Sequence, residues 1–206
     1  MMITIIDNNM GNIQSVANAM DFLGVKCQIS NKENDIISSS GLILPGVGAF
    51  PMAMKNLNTS GLDELLIDLL QKKEVPFLGI CLGMQLLFEK SHEKETVKGL
   101  GILKGEVVRI EKNENNSVPH VGWNNLTIKK NNPLTININE NSMFYYDHSY
   151  FIRETESNSF AVLNYGQEMC VGVSKKNIFG VQFHPEKSQK NGLRMLRNFS
   201  NYVNLN

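Results

Sequence analysis

The stretch Phe77-Leu78-Gly79-Ile80-Cys81-Leu82-Gly83-Met84-Gln85 decides how the rest of the chain is read. An apolar run enters one Cys placed between two glycines, and an amphipathic run follows. This is the pattern of a strand that ends in a tight turn and presents its central side chain, with a helix, here Leu82 to Glu89, beginning at once. Glycine on either side relieves a crowded backbone, and the unpaired N–H groups at the helix start favour a thiolate over a thiol. By itself the pattern fits a buried structural Cys equally well, because free Cys is among the most buried residue types.

The sequence before the elbow has the same texture. Ile3 to Ile6 and Gly41 to Leu44 are short apolar runs, and Val25 to Ile29 alternates like a strand. Between them, Ile13, Val16, Ala17, Met20 and Leu23 recur at helical spacing, as do the apolar residues of Met52 to Leu57 and Leu62 to Leu70, which make one or two helices. Brief apolar strands separated by helices belong to a parallel sheet covered on both faces. After Gly101 the texture changes. Gly105 to Ile110, Trp123 to Ile128, Met143 to Ile152, Phe160 to Asn164, Cys170 to Ser174 and Ile178 to Phe183 are strand-like runs with polar turns between them, which points to an antiparallel or mixed extension. A last helix carries Leu193, Leu196, Phe199 and Val203. The expected fold class is α/β, a central, mostly parallel sheet flanked by helices, with residues 1–206 forming one domain.

Composition narrows the function. Lys and Arg number 20, Asp and Glu 20, for a net charge of +0. With no long basic block, the chain lacks the electrostatic footprint of a nucleic-acid or membrane-surface binder. Cys27, Cys81 and Cys170 form no C-x-x-C pair and no secretory leader precedes them, which points to a reducing, cytoplasmic setting. The opening run is too short to span a membrane and Asp7 closes it. No metal-ligand spacing is present, so neither a metal nor an organic cofactor is expected.

An activated Cys needs a base, and the base needs a group that fixes its tautomer. Of His92, His120, His148 and His184, the last is best placed. It follows the run Gly180-Val181-Gln182-Phe183 and precedes Glu186 by two residues, so on an extended chain both side chains share a face. Pro185 between them takes the chain out of the sheet. His92 reads as a solvated side chain in the charged run Lys90 to Lys94. Pro45-Gly46-Val47-Gly48 is a glycine-rich turn after an earlier strand, able to supply an N–H near Val47 that, with the Leu82 N–H, would hold an oxyanion. Elbow, base and loop together are the parts required for acyl transfer through a thioester.

Gly-Ile-Cys-Leu-Gly-Met-Gln at 79–85, Pro-Gly-Val-Gly at 45–48 and Gly-Val-Gln-Phe-His-Pro-Glu-Lys-Ser at 180–188 resemble the class I, triad-type glutamine amidotransferases. Pro-His-Val-Gly-Trp-Asn at 119–124, Tyr-Tyr-Asp-His-Ser-Tyr at 145–150 and Gly-Asn-Ile-Gln-Ser-Val at 11–16 are similar to the glutaminase subunits of imidazole glycerol phosphate synthase. The resemblance implies a flavodoxin-like fold and a Cys81–His184–Glu186 triad. It implies that Gly48, Gln85, Ser149 and Tyr150 hold L-glutamine, and that the 45–48 loop rearranges before it donates to an oxyanion. It further implies that Asn12, Pro119, His120, Gly122, Trp123 and Asn124 dock on a cyclase subunit with a (β/α)8 barrel, which uses the ammonia in histidine synthesis. Asn8, Asn9 and Asp147 depart from the pattern, which has Tyr, Gly and an aliphatic residue there. The same triad would serve a paralogous subunit feeding another synthase, whereas a non-catalytic module of this fold would have no need of all three residues.

Overall fold

A computed structural model of the chain describes residues 1–114, 116–154 and 157–206. Five parallel strands form its centre: β1 (Ile3–Ile6), β2 (Cys27–Ser30), β3 (Gly41–Gly46), β4 (Phe77–Cys81) and, from late in the chain, β14 (Ile178–Val181). Their order is β2-β1-β3-β4-β14, the doubly wound flavodoxin-like arrangement. Helices α1 (Ile13–Phe22) and α6 (Gln189–Leu205) cover one face. The other is covered by α2 (Glu33–Ile37), α3 (Phe50–Ser60) and α4 (Leu62–Gln71). The two-residue period of the strands sorts the core accordingly. Ile5 and Ile43 pack with Val16, Met20, Leu196 and Phe199, while Ile6, Leu42 and Leu44 pack with Leu57, Leu66 and Leu69.

Beyond β14 the sheet turns mixed, as expected. β13 (Glu168–Lys175) runs antiparallel to β14, and β11 (Tyr150–Glu154) and β12 (Ser159–Asn164) run antiparallel to β13. β7 (Leu103–Arg109), β5 (Phe88–Ser91) and β6 (Val97–Lys98) extend the β11 side, and β9 (Thr127–Ile128) adds to β12. A separate antiparallel pair, β8 (His120–Asn125) and β10 (Met143–His148), stands off the main sheet. No helix among the described residues is long and apolar enough to cross a membrane.

Three expectations need correction. The helix after the elbow is a single turn, α5 (Leu82–Gln85), and the chain re-enters the sheet at Phe88. Residues 82–88 are all buried, so this segment has no polar face to turn to solvent as an amphipathic helix would. The run Met143 to Ile152 is two strands in different sheets, broken at Ser149, and Trp123 to Ile128 is likewise split between β8 and β9. An apolar pattern cannot register a change of sheet. Pro45 and Gly46 belong to β3 rather than to a turn, with Gly46 in register with Cys81. Pro45 is tolerated because β1 pairs with β3 only as far as Ile43. Of the one or two helices expected after β3, two form, divided at Gly61, whose φ of 71° ends one and starts the other.

Candidate active site

Cys81 stands where β4 becomes α5, at φ 53° and ψ −109°. A non-glycine residue held there stores roughly 1–3 kcal/mol of backbone strain. The surrounding sequence makes the turn possible. A Cβ on Gly83 would collide with the Leu44 carbonyl oxygen of β3, and one on Gly79 would lie 2.6 Å from the Gly83 carbonyl oxygen. The two glycines therefore let β3, β4 and α5 close around the elbow, and the next residue, Leu82, contributes an N–H with no acceptor inside its helix.

His184 lies just past β14, the strand beside β4, so parallel pairing brings it to the same sheet edge as Cys81. Its backbone N–H donates to the Tyr145 carbonyl at 2.9 Å, and Ser188 Oγ donates to its carbonyl at 2.6 Å. Nδ1 lies 2.9 Å from Glu186 Oε1, with both side chains buried. The contact forms as expected, but not along an extended strand: Pro185–Lys187 is a 3-10 turn that folds Glu186 back beneath the ring. With Nδ1 engaged, Nε2 is the nitrogen left for Cys81. Burial pushes the His184 pKa down, but hydrogen bonding and charge from Cys81 and then Glu186 outweigh it and raise it to about 10. At neutral pH His184 therefore holds a proton beside the sulfur.

A cleft of about 360 Å³ opens on Cys81, lined by Val47, Gly48, Leu82, Gln85 and the 147–150 segment among others. The glutamine-holding candidates Gly48, Gln85, Ser149 and Tyr150 all meet there. The break between β10 and β11 at Ser149 delivers the last two. Val47 is expected to donate to an oxyanion only after its loop rearranges. Its N–H donates to the Met10 carbonyl at 3.2 Å and is not presented to the cleft. The loop that accepts it is shaped by Asn9, at φ 57°, whose N–H donates to Asp7 Oδ1 at 2.9 Å. It is also shaped by Gly11, where a Cβ would strike the Val47 side chain.

Two further residues were not anticipated. Gln182, fully buried, donates from Nε2 to Cys81 Sγ at 3.6 Å and accepts from Gln85 Nε2 at 2.9 Å. A lone amide in the apolar run Ile178 to Phe183 was its available signal. Glu93 lines the cleft and accepts the Phe50 N–H at 2.8 Å, capping α3. Nothing in the charged run 90–94 distinguished it.

The docking candidates divide. Pro119 and Trp123 are exposed, Asn12, Gly122 and Asn124 are half-buried, and Val121 beside them is exposed too. Trp123 meets Tyr145 edge-on at 6.0 Å, and Lys187 lies over the Tyr145 ring at 5.4 Å, so this surface adjoins the strand that anchors His184. His120 does not belong to it. Only 1 % exposed, it stacks on Tyr165 and Tyr146, because alternation along β8 turns it inward.

An elbow cysteine beside a carboxylate-oriented histidine, at the edge of a flavodoxin-like sheet, defines a thiol acyl-transfer enzyme. The chain belongs to the class-I glutamine amidotransferase family, whose sequence model matches residues 4–202. Among its relatives are imidazole glycerol phosphate synthase subunit HisH 2 of Vibrio vulnificus, 46% identical over 206 residues, and subunit HisH of Caldanaerobacter subterraneus, 46% identical over 204 residues. The first alignment covers 100% of this chain and 96% of the relative, the second 98% of each. Solved structures share the fold at lower identity. A glutamine amidotransferase crystal structure superposes with a TM-score of 0.76 at 18% identity, covering 98% of both chains. The structure of PurLQS from Thermotoga maritima gives 0.75 at 16%, again covering 98% of both chains.

Proposed function

We propose that this chain is the glutaminase subunit of a cytoplasmic imidazole glycerol phosphate synthase, a single domain that hydrolyses L-glutamine and passes the ammonia to a (β/α)8-barrel cyclase. The observation that carries the chemistry is the His184 ring, held by Glu186 at 2.9 Å and protonated beside Cys81. The Cys81 sulfur attacks the side-chain amide carbon of glutamine. The oxyanion is held by the Leu82 N–H and, after the peptide at Val47 rotates away from Met10, by the Val47 N–H. Gly48, at φ +101°, gives that rotation its freedom. As the C–N bond breaks, His184 gives its proton to the departing nitrogen and a glutamyl thioester remains. Water then attacks the thioester and His184 takes a proton from it; as the C–S bond breaks the product acid leaves, losing its carboxyl proton to solvent as glutamate, and the Cys81 sulfur and protonated His184 are restored.

The identity of the acceptor enzyme rests on the relatives and on the exposed surface of Val121 and Trp123, which carries the aromatic and apolar character of a docking face. The chain is assayed for glutamine hydrolysis with and without the cyclase and its ribonucleotide substrate. Strong stimulation and formation of imidazole glycerol phosphate are expected. Hydrolysis that ignores the cyclase would assign the chain to another synthase. Cys81→Ala should abolish turnover and leave cyclase binding intact by calorimetry, and an active Cys81→Ala chain would overturn the thioester route.

A further inference from the structure

Two hydrogen-bonded branches meet on one backbone carbonyl, that of Tyr150, outside the triad. In the first, His148 Nδ1 lies 2.8 Å from the Tyr150 carbonyl oxygen. A carbonyl only accepts, so Nδ1 carries the proton and donates. In a neutral ring Nε2 then accepts, and it faces His120 Nδ1 at 2.9 Å. His120 Nδ1 is therefore the donor and its Nε2 the acceptor, receiving the Asn124 Nδ2 at 2.8 Å. Burial favours neutral rings here, pushing His148 down to about 3 and His120 to about 4. In the second branch, Gln85 Nε2 donates to the same carbonyl at 3.2 Å and to Gln182 Oε1 at 2.9 Å. Both of its hydrogens are engaged, so Oε1 is the part of the Gln85 amide left for the cleft it lines. Reversing any ring or amide would set acceptor against acceptor or donor against donor.

We propose that His148 and His120 are positioning residues for glutamine binding: they hold the Tyr150 carbonyl, and through it present Gln85 Oε1 to the substrate as a fixed hydrogen-bond acceptor. The matching donor on an amino-acid substrate is its α-ammonium group. Because His120 and His148 are paired across β8 and β10, the branch also ties this acceptor to the strand that bears Asn124 and Trp123. This role rests on the glutaminase reading above.

Ring-nitrogen NMR on the full-length wild-type chain, with 15N-histidine, tests the branch without any substitution. At pH 7 both rings should be neutral with the proton on Nδ1, and an Nε2–H form or a cation at either residue would overturn the proposal. In complex with the cyclase, His148→Phe should raise KM for glutamine about tenfold, the weight of one well-placed hydrogen bond, while kcat changes by less than about threefold. His148→Asn, whose amide still reaches the carbonyl as a donor, should recover most of that loss. An unchanged KM in His148→Phe, or equal losses in the two variants, would defeat the positioning role alone. A wild-type chain that hydrolyses no glutamine with the cyclase present would defeat the glutaminase reading and this role with it.

Discussion

The Met10 carbonyl accepts the Val47 N–H at 3.2 Å, and this single bond keeps one of the two proposed oxyanion donors out of the cleft. One missing oxyanion donor costs about 10²–10³ in rate. The isolated chain should therefore hydrolyse glutamine about 10²–10³ more slowly than the chain bound to its cyclase, with kcat carrying the difference. Stopped-flow turnover of both forms measures this, and equal kcat values would show that the Met10–Val47 bond restrains nothing.

The proton on His184 should set the alkaline limit of activity. Its pKa is raised to about 10, so the acid proposed to expel ammonia is present below that value and is lost as pH rises through it. The kcat/KM profile should hold its plateau well above pH 6.5 and fall near pH 10. Glu186→Gln removes one of the causes of the shift, and its alkaline limb should move to lower pH. A limb that stays in place would deny Glu186 this role.

Gly83 is where packing and chemistry meet. A methyl group there meets backbone, the Leu44 carbonyl, which cannot turn aside like a side chain. Gly83→Ala should cost about 2 kcal/mol or more, a fall in Tm of about 4–8 °C, and should displace Cys81 enough to lose most activity. Gly101→Ala is the control, with a φ of +63° and nothing within 4 Å of the added Cβ. It should lose stability through backbone strain alone and keep its activity. Comparable activity in the two variants would argue against the close approach at the elbow.

Buried neutral histidines make the fold acid-sensitive. The folded pKa values of His120 and His148, about 4 and about 3, lie below the ordinary 6.5. The unfolded chain therefore binds more protons as pH falls. The associated stability is complete above about pH 6.5 and is withdrawn as pH drops toward 4 and 3, at about 1.4 kcal/mol per pH unit for each histidine. His184 shifts the other way: its contribution to stability grows as pH falls toward 6.5 and is constant only below about pH 5.5, where the residue is protonated in both states. Urea unfolding between about pH 5.5 and 4 should show the loss, and His148→Phe should flatten it. The same slope in wild type and variant would mean that His148 is not held neutral.

Much of this protein was legible in the chain itself. Short apolar runs alternating with helical spacing require a parallel sheet covered on both faces, because neither face of such strands can meet water. The glycines flanking Cys81 and the His184-Pro185-Glu186 order marked the candidate reacting groups, since a strained elbow and an oriented imidazole each need particular residues at particular spacing. What pattern could not carry was any relation that depends on which strands lie side by side. The break at Ser149 between two sheets, the inward turn of His120, the reach of Gln182 to the Cys81 sulfur and the hold of Met10 on Val47 arise only when distant segments are brought together. Hydrogen bonds and collisions act over a few ångströms of space, whereas sequence records only order along the chain. Residue types therefore determined the fold class and the candidate triad, and tertiary packing decided which neighbours those three residues could use.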